Sequence, residues 1–219
     1  MKKLILAAVL LLSVSFTYAQ LNFGIKAGYN SSLGGNDLGS ITNGTYNYKT
    51  AKADLSNGFQ AGIFARLGNK LYLQPELLYD MGKKNYNMSI TSGNNTGTFN
   101  KNVTVRAIDV PILLGYKILD LEKVANLRVF AGPKLRFNAG SSLDYNNIAV
   151  SGFSASDFKS DVKAAQLGLE AGFGVDVLML SLDFRYQVIN DMYQTKIQDV
   201  TIDKIPANTF VISLGWKIF

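Results

Sequence analysis

The sequence of 219 residues contains neither cysteine nor histidine. The absence of cysteine excludes disulfides, a thiol nucleophile and thiolate zinc sites, and the absence of histidine excludes a Ser-His-Asp triad. Charged residues make up only 17% of the chain. The 22 basic residues outnumber the 16 acidic ones without forming a polybasic run, which argues against a nucleic-acid partner. We therefore expect no metal, no cofactor and no catalytic residues.

The chain also lacks a long apolar run, although it begins with a short one. A basic pair precedes an apolar stretch over residues 4–16, and Ala19 supplies a small residue at a cleavage point. This stretch is too short for a spanning helix, which needs about twenty residues. The sequence predicts a signal peptide over residues 1–19 and a mature domain over residues 20–219, with a membrane anchor or a buried helix as the alternative. Any later membrane crossing must use strands, since no other segment is long and apolar enough.

The mature chain alternates between apolar and polar residues with a period of two. In the first segment Leu21, Phe23, Ile25, Ala27 and Tyr29 share one face. The same pattern recurs in seven segments, at residues 59–67, 71–79, 108–116, 127–137, 165–175, 180–188 and 210–218. About ten residues is the length of a tilted strand that crosses a bilayer. The pattern predicts an all-β protein, an eight-stranded antiparallel up-and-down transmembrane β-barrel.

Charged residues and glycines occupy the phase opposite to the apolar residues. Because the interior of an eight-stranded barrel is narrow, small residues belong on that side, and the bulky apolar groups then face lipid. The predicted interior charge network comprises Lys26, Glu76, Asp109, Arg128, Lys134, Arg136, Glu170, Asp183, Arg185 and Lys217. Arg66, Asp80, Lys117 and Asp176 share its phase. The alternative is a soluble lipid-binding barrel, whose apolar side chains would face inward and whose charged side chains would face water.

The spacing of the segments predicts alternating long and short connections. Long connections cover residues 32–57, 83–103, 139–164 and 190–208, and their composition is typical of solvated, partly mobile loops. Short ones fall at residues 68–70 and 178–179, with one of modest length at residues 118–126. Aromatic girdles are predicted at Phe23, Tyr116, Phe173 and Trp216 on the periplasmic side, and at Tyr29, Phe59, Tyr79, Phe137 and Phe210 on the outer side.

Three prolines, Pro75, Pro111 and Pro133, fall inside predicted strands, where we expect local bulges, or else misplaced strand boundaries. The segments around them, LYLQPELLY at residues 71–79, IDVPILL at 108–114 and AGP at 131–133, resemble strands of the Bacteroidetes outer-membrane β-barrel family, the porin-family or PorT-like proteins. The resemblance implies an eight-stranded barrel in the outer membrane of a Gram-negative envelope and no fixed activity. The terminal Phe219 departs from the usual register of such barrels, although the assembly machinery can still read it.

Such a barrel could serve catalysis, solute passage or recognition. Glu170 with Asp183 could do acid-base chemistry, but structural ion pairing is the stronger interpretation. Solute passage conflicts with an interior filled by side chains. Recognition by the long loops is suggested by Tyr46, Tyr48, Phe99, Tyr145, Phe153, Phe158 and Tyr193.

The sequence therefore predicts an integral outer-membrane protein with a structural or surface-interaction role, which is not an enzyme. The alternatives are a small-solute porin or transport-related barrel, or the soluble lipid-binding barrel. Expected partners are outer-membrane lipid, the barrel assembly machinery during biogenesis and a surface ligand at the long loops.

Overall fold

The computed structural model describes residues 21–32, 40–43, 46–53, 56–92, 95–121, 124–146, 158–162, 164–189, 193–197, 200–202 and 207–218. Within these ranges no helix is long and apolar enough to cross a membrane. The strands are β1 (Leu21–Ser32), β2 (Ser40–Asn43), β3 (Tyr46–Ala53), β4 (Ser56–Gly68), β5 (Leu71–Ser92), β6 (Asn95–Leu121), β7 (Ala125–Asn138), β8 (Ser142–Asn146), β9 (Phe158–Val162), β10 (Ala165–Val177), β11 (Leu180–Ile189), β12 (Tyr193–Ile197), β13 (Val200–Ile202) and β14 (Ala207–Lys217). The predicted signal peptide lies outside the described residues.

Eight of these strands close into a barrel in the order β4, β1, β14, β11, β10, β7, β6 and β5, with β5 paired back to β4. Every neighbouring pair is antiparallel. When the short strands of the long connections are left aside, each barrel strand pairs with the barrel strands before and after it in the chain, and β1 pairs with β14 to close the barrel. Each barrel strand therefore has a partner on both sides, as a strand in lipid requires. The predicted eight-stranded antiparallel barrel is confirmed.

The strands are staggered around the barrel. A path of paired residues leaves β5 at Leu73 and returns to β5 at Lys83, ten residues further along. Such a stagger accompanies strands tilted by about 40° to the barrel axis, so that each residue advances ~2.5 Å along it. The stagger decides which lumen residues lie at the same level, and it brings together side chains that are far apart in sequence.

The wall of the barrel separates an apolar outer face from a polar lumen. On β10, Leu167, Leu169 and Phe173 are exposed, while Glu170 and Asp176 on the opposite face of the strand are buried. All fourteen charged residues of the polar phase point inward: twelve are buried, and Lys117 and Lys217 are half-buried near the short turns. The described lumen is charged rather than apolar, which removes the basis for a soluble lipid-binding barrel.

The long connections contain more strand than the sequence predicts. Residues 83–103 continue β5 and β6 as a hairpin that is paired as far as Ser92 and Asn95. Strand β3 pairs with the distal part of β5, β2 pairs with β3, and β8 pairs with the distal part of β6. Strands β9, β12 and β13 form a separate sheet. Residues 85–91 do alternate between polar residues and Tyr86, Met88 and Ile90, but the many asparagines, serines, threonines and glycines of the segment favoured a loop in the sequence analysis.

The connection between β6 and β7 is shorter than predicted. Strand β6 continues to Leu121 and β7 begins at Ala125. The pairing of the two strands shifts between Lys117 and Leu119, which is a bulge. Because the bulge breaks the period of two, the strand continues where the sequence pattern suggests that it ends.

The prediction of bulges at the three prolines is wrong. Pro75 pairs with Ile112, and the β5–β6 ladder resumes at Leu78 and Asp109 in the same register. The β6–β7 ladder likewise resumes after Pro111 without a shift, and β7 and β10 pair continuously through Pro133. Proline removes a single N–H donor. A strand held on both sides by its neighbours can therefore lose one hydrogen bond and keep its register.

Candidate functional site

Basic side chains surround one carboxylate at the end of the lumen nearest the short turns. Asp176 of β10 pairs with Arg66 of β4 at 2.6 Å and with Arg128 of β7 at 3.1 Å. Lys217 of β14 lies at the rim of the barrel, and its Nζ is 3.5 Å from the same carboxylate. Ser181 donates its hydroxyl to Asp176 at 2.7 Å. This carboxylate thus ties four other strands, β4, β7, β11 and β14, to β10 at the base of the lumen.

The middle of the lumen holds the densest part of the network. Lys26 of β1 pairs with Glu76 at 2.7 Å and with Asp183 at 2.8 Å. Arg185 of β11 contacts three carboxylates, those of Glu76, Asp183 and Glu170, at 2.8, 2.7 and 2.5 Å. All five side chains are completely shielded from solvent or nearly so. Two bases thus face three acids here, and Arg128 from below supplies a further positive charge by pairing with Asp183.

The network continues toward the long connections. Lys134 of β7 pairs with Asp109 at 2.6 Å and approaches Glu170 of the middle cluster at 3.7 Å. Arg136 holds Asp109 at 2.7 Å and also pairs with Asp80. The side-chain amide of Asn30 donates to Asp80 at 2.5 Å. One connected chain of ion pairs therefore runs through the lumen from end to end.

The charges of this network balance. The six buried bases are Lys26, Arg66, Arg128, Lys134, Arg136 and Arg185, and the six buried acids are Glu76, Asp80, Asp109, Glu170, Asp176 and Asp183. Each of the twelve has at least one oppositely charged partner. Burying unpaired charges would cost several kcal/mol for each ion, so the balance is a condition for closing the barrel around them.

Aromatic rings fill the space between the charges. The Nζ of Lys26 lies 5.0 Å from the centre of the Phe64 ring, and the guanidinium of Arg128 lies 5.2 Å from that of Phe130. These are cation–π distances. The rings fit because glycine lies beside them: a Cβ on Gly24 would come within 2.7 Å of Phe64, and one on Gly172 within 2.9 Å of Phe130. The crowding of the lumen thus explains why its phase is rich in glycine.

Every carboxylate of the network is paired with at least one base. Glu170 and Asp183, the candidate acid-base pair, both pair with Arg185. In the part of the chain that the structure describes, no group of three or more acidic side chains is placed to hold a metal ion. The chemistry that this arrangement supports is charge pairing inside a packed lumen.

One strip of the lumen wall contains polar atoms without protein partners. Both side-chain polar atoms of Gln60, the Oδ1 of Asn30 and the Oγ of Ser213 are buried and form no hydrogen bond with the described residues. These residues lie on the neighbouring strands β4, β1 and β14. Beside this strip a cavity of ≈ 30 Å³ is lined in part by Asn30, Asp80 and Arg136. It has room for about two water molecules.

The nine residues predicted to form aromatic girdles lie on the outer face of the wall. Eight are exposed and Phe23 is half-buried. Tyr29 packs edge-on against Phe59, with ring centres 5.5 Å apart, at the end that carries the long connections. At the other end the apolar surface continues past Phe173 through Leu178 and Met179. A membrane boundary at these rings remains a prediction.

Sequence reasoning missed part of the lumen. Val105, Ala107 and Leu113 of β6, with Ile189 and Val211, point inward and are buried. They lie on the phase that the charges mark, but they are apolar, so the pattern assigned them no role. The loop aromatics named as candidate binders have side chains outside the described part of the structure.

A family model described as "Outer membrane protein beta-barrel domain" matches residues 15–191. The chain belongs to this outer-membrane β-barrel family. The family accounts for the closed barrel, and it places the protein in the outer membrane. No curated relative matches the sequence.

Three solved structures resemble the chain. The outer membrane protein OprG from Pseudomonas aeruginosa is 12% identical, with a TM-score of 0.53, and the match covers 91% of this chain and 97% of OprG. The outer membrane protein AlkL, solved in DMPC bilayers, is 12% identical, with a TM-score of 0.41 and 92% of each chain covered. LpxR from Salmonella typhimurium is 7% identical, with a TM-score of 0.33 and coverage of 88% and 99%. At this identity the likeness to OprG concerns the fold alone.

Proposed function

We propose that this outer-membrane barrel has a closed lumen and acts as a structural or surface-interaction protein rather than as a channel or an enzyme. The observation that carries the proposal is the continuous ion-pair network of twelve buried, balanced charges. A barrel of eight strands has an interior just wide enough for side chains to fill. With the lumen occupied, the surface formed by the long connections is the part of the protein free to meet other molecules.

A planar-bilayer recording tests the closed lumen. Purified protein reconstituted at low density should give no steady current in 1 M salt, as should the Lys117→Gln variant, whose substitution lies at the rim. A stable ohmic conductance that scales with salt concentration would contradict a closed lumen.

A shortened hairpin tests the interaction role. Tyr86 pairs with Lys101, so residues 87–100 can be replaced by Asn-Gly without changing the register of the barrel. Cells with the shortened protein should lose the surface interactions of the full-length protein while the barrel still inserts. The control is a similar replacement of the periplasmic residues Asn69 and Lys70, which should preserve those interactions. If the shortened hairpin retains every interaction, the hairpin has no such role.

A small-solute barrel is the second candidate, and the unpartnered polar atoms of Gln60, Asn30 and Ser213 favour it. They would hydrate a narrow path along β4, β1 and β14. Swelling of proteoliposomes in small sugars or amino acids, slowed by Gln60→Leu, would support passage over closure.

The finer assignments complete the proposal. The resemblance of residues 71–79 and 108–114 supports a place among the Bacteroidetes porin-family or PorT-like barrels. Export through a signal peptide over residues 1–19 is supported by the basic pair, the apolar stretch and Ala19. N-terminal sequencing of the protein recovered from the outer membrane should then begin at Gln20. The barrel assembly machinery is the expected partner during insertion.

A further inference from the structure

A groove lies on the barrel wall at the end that carries the long connections. Its volume is ≈ 500 Å³, within the range of small-ligand sites. The lining residues form a three-by-three block on β4, β5 and β6: Asn57, Gly58, Phe59, Met81, Gly82, Lys83, Thr104, Val105 and Arg106.

Two rows of this block point outward, and they differ in chemistry. The row of Phe59, Met81 and Arg106 begins with two large apolar side chains, exposed by 61% and 50%. The row further from the membrane is polar and contains the exposed Lys83. The middle row, Gly58, Gly82 and Val105, belongs to the inward phase, so it contributes backbone rather than side chains to the groove. The groove therefore has an apolar patch at Phe59 and Met81 and one base in each row, Arg106 beside the apolar patch and Lys83 in the polar row.

The two bases of the groove are unlike the bases of the lumen. Every buried lysine and arginine of the lumen is paired with a carboxylate. Lys83 and Arg106 are exposed, form no ion pair with any described residue, and meet no acidic side chain in the groove. Two cations without an acidic partner among the described residues lie next to apolar side chains at one end of the apolar outer face, which fits a ligand with a negative head and an apolar tail.

We propose that this groove binds an anionic membrane lipid. Lys83 and Arg106 hold the phosphate of the head group by charge-assisted hydrogen bonds, and Phe59 and Met81 contact the first part of an acyl chain. The site lies in the leaflet that faces the long connections, and it is separate from the lumen network. It depends on the barrel lying in a membrane and not on the proposed surface-interaction role.

Native mass spectrometry of the full barrel in mild detergent tests the site. The probes are dimyristoyl phosphatidylglycerol, which is anionic, and dimyristoyl phosphatidylcholine, which has the same chains and no net charge. We expect one phosphatidylglycerol to bind preferentially, and the K83Q/R106Q double variant to bind it ~10-fold more weakly, because both charged contacts are lost. The matched control is K70Q/K117Q, which removes two lysines at the opposite end and should bind as the parent does.

Two further arms keep the proposal falsifiable if a variant folds poorly. Raising the salt concentration should release phosphatidylglycerol from the unmodified protein while phosphatidylcholine is unaffected. Inorganic phosphate at millimolar concentration should not displace the lipid, since the acyl contacts would be missing. Equal binding of the two lipids, equal loss in both double variants, or displacement by inorganic phosphate would each overturn the proposal.

Discussion

Arg185 is the side chain whose removal should disturb the lumen most. Its guanidinium contacts Glu76, Glu170 and Asp183 and is completely buried. Removing one partner of a buried ion pair typically costs about 3–5 kcal/mol, because the remaining charge stays buried without compensation. In Arg185→Met three carboxylates share the loss, so we expect a destabilisation near ~5 kcal/mol.

The same charge balance predicts the stability of a double variant. Adding Glu76→Gln to Arg185→Met restores equal numbers of buried acids and bases. The double variant should therefore lose less stability than the sum of the two single variants, by about 1–3 kcal/mol. Lys117→Met serves as the control, because its partly exposed pair with Asp120 should contribute only about 0–1 kcal/mol.

Unfolding by urea from lipid vesicles gives the free energies needed for this cycle. The chain has a single tryptophan, Trp216, which is exposed on the outer face of the wall. Its fluorescence should shift as it leaves the lipid, and it reports unfolding without a label. Losses in the two single variants that simply add, or an Arg185→Met loss below about 1 kcal/mol, would refute the claim that charge balance stabilises the lumen.

Three further predictions concern the wall and its packing. Leu169→Lys places a charge on the outer face and should cost about 2–4 kcal/mol in vesicles, whereas the uncharged Leu169→Met should cost clearly less; equal costs would contradict a lipid-facing position for Leu169. Gly115→Ala puts a Cβ 2.1 Å from Tyr72 and should cost about 1–3 kcal/mol of unfolding free energy. Adding Tyr72→Leu should restore much of this loss, and a double variant as unstable as Gly115→Ala would show that the strain does not come from Tyr72. Unheated protein should migrate differently from boiled protein in detergent gels, because a barrel with no free edge resists unfolding at room temperature, and identical migration would argue against a closed barrel.

The alternation of residues in the sequence predicts the barrel strands but not their full extent or their tolerance of proline. The period-two alternation of residues such as Leu167, Leu169 and Phe173 predicts the strands, because each neighbour in a strand meets a different environment. The prolines and the distal hairpin show the limit of this signal. A strand paired on both sides keeps its register through Pro75, and residues 83–103 pair as strands although their composition is typical of a loop. Expectations from residue type alone fail at both places.

The sequence by itself determined that charges and glycines share one face of the strands and bulky apolar groups the other, because a narrow lumen and a lipid surrounding select for opposite properties. The sequence could not determine which base pairs with which acid. Lys26 and Asp183 are 157 residues apart, and Arg185 and Glu76 are 109 apart, yet both pairs form direct contacts. Those contacts depend on the closure of β1 against β14 and on the ten-residue stagger around the barrel, which no single strand encodes. Only the closed tertiary structure brings these side chains to one level of the lumen.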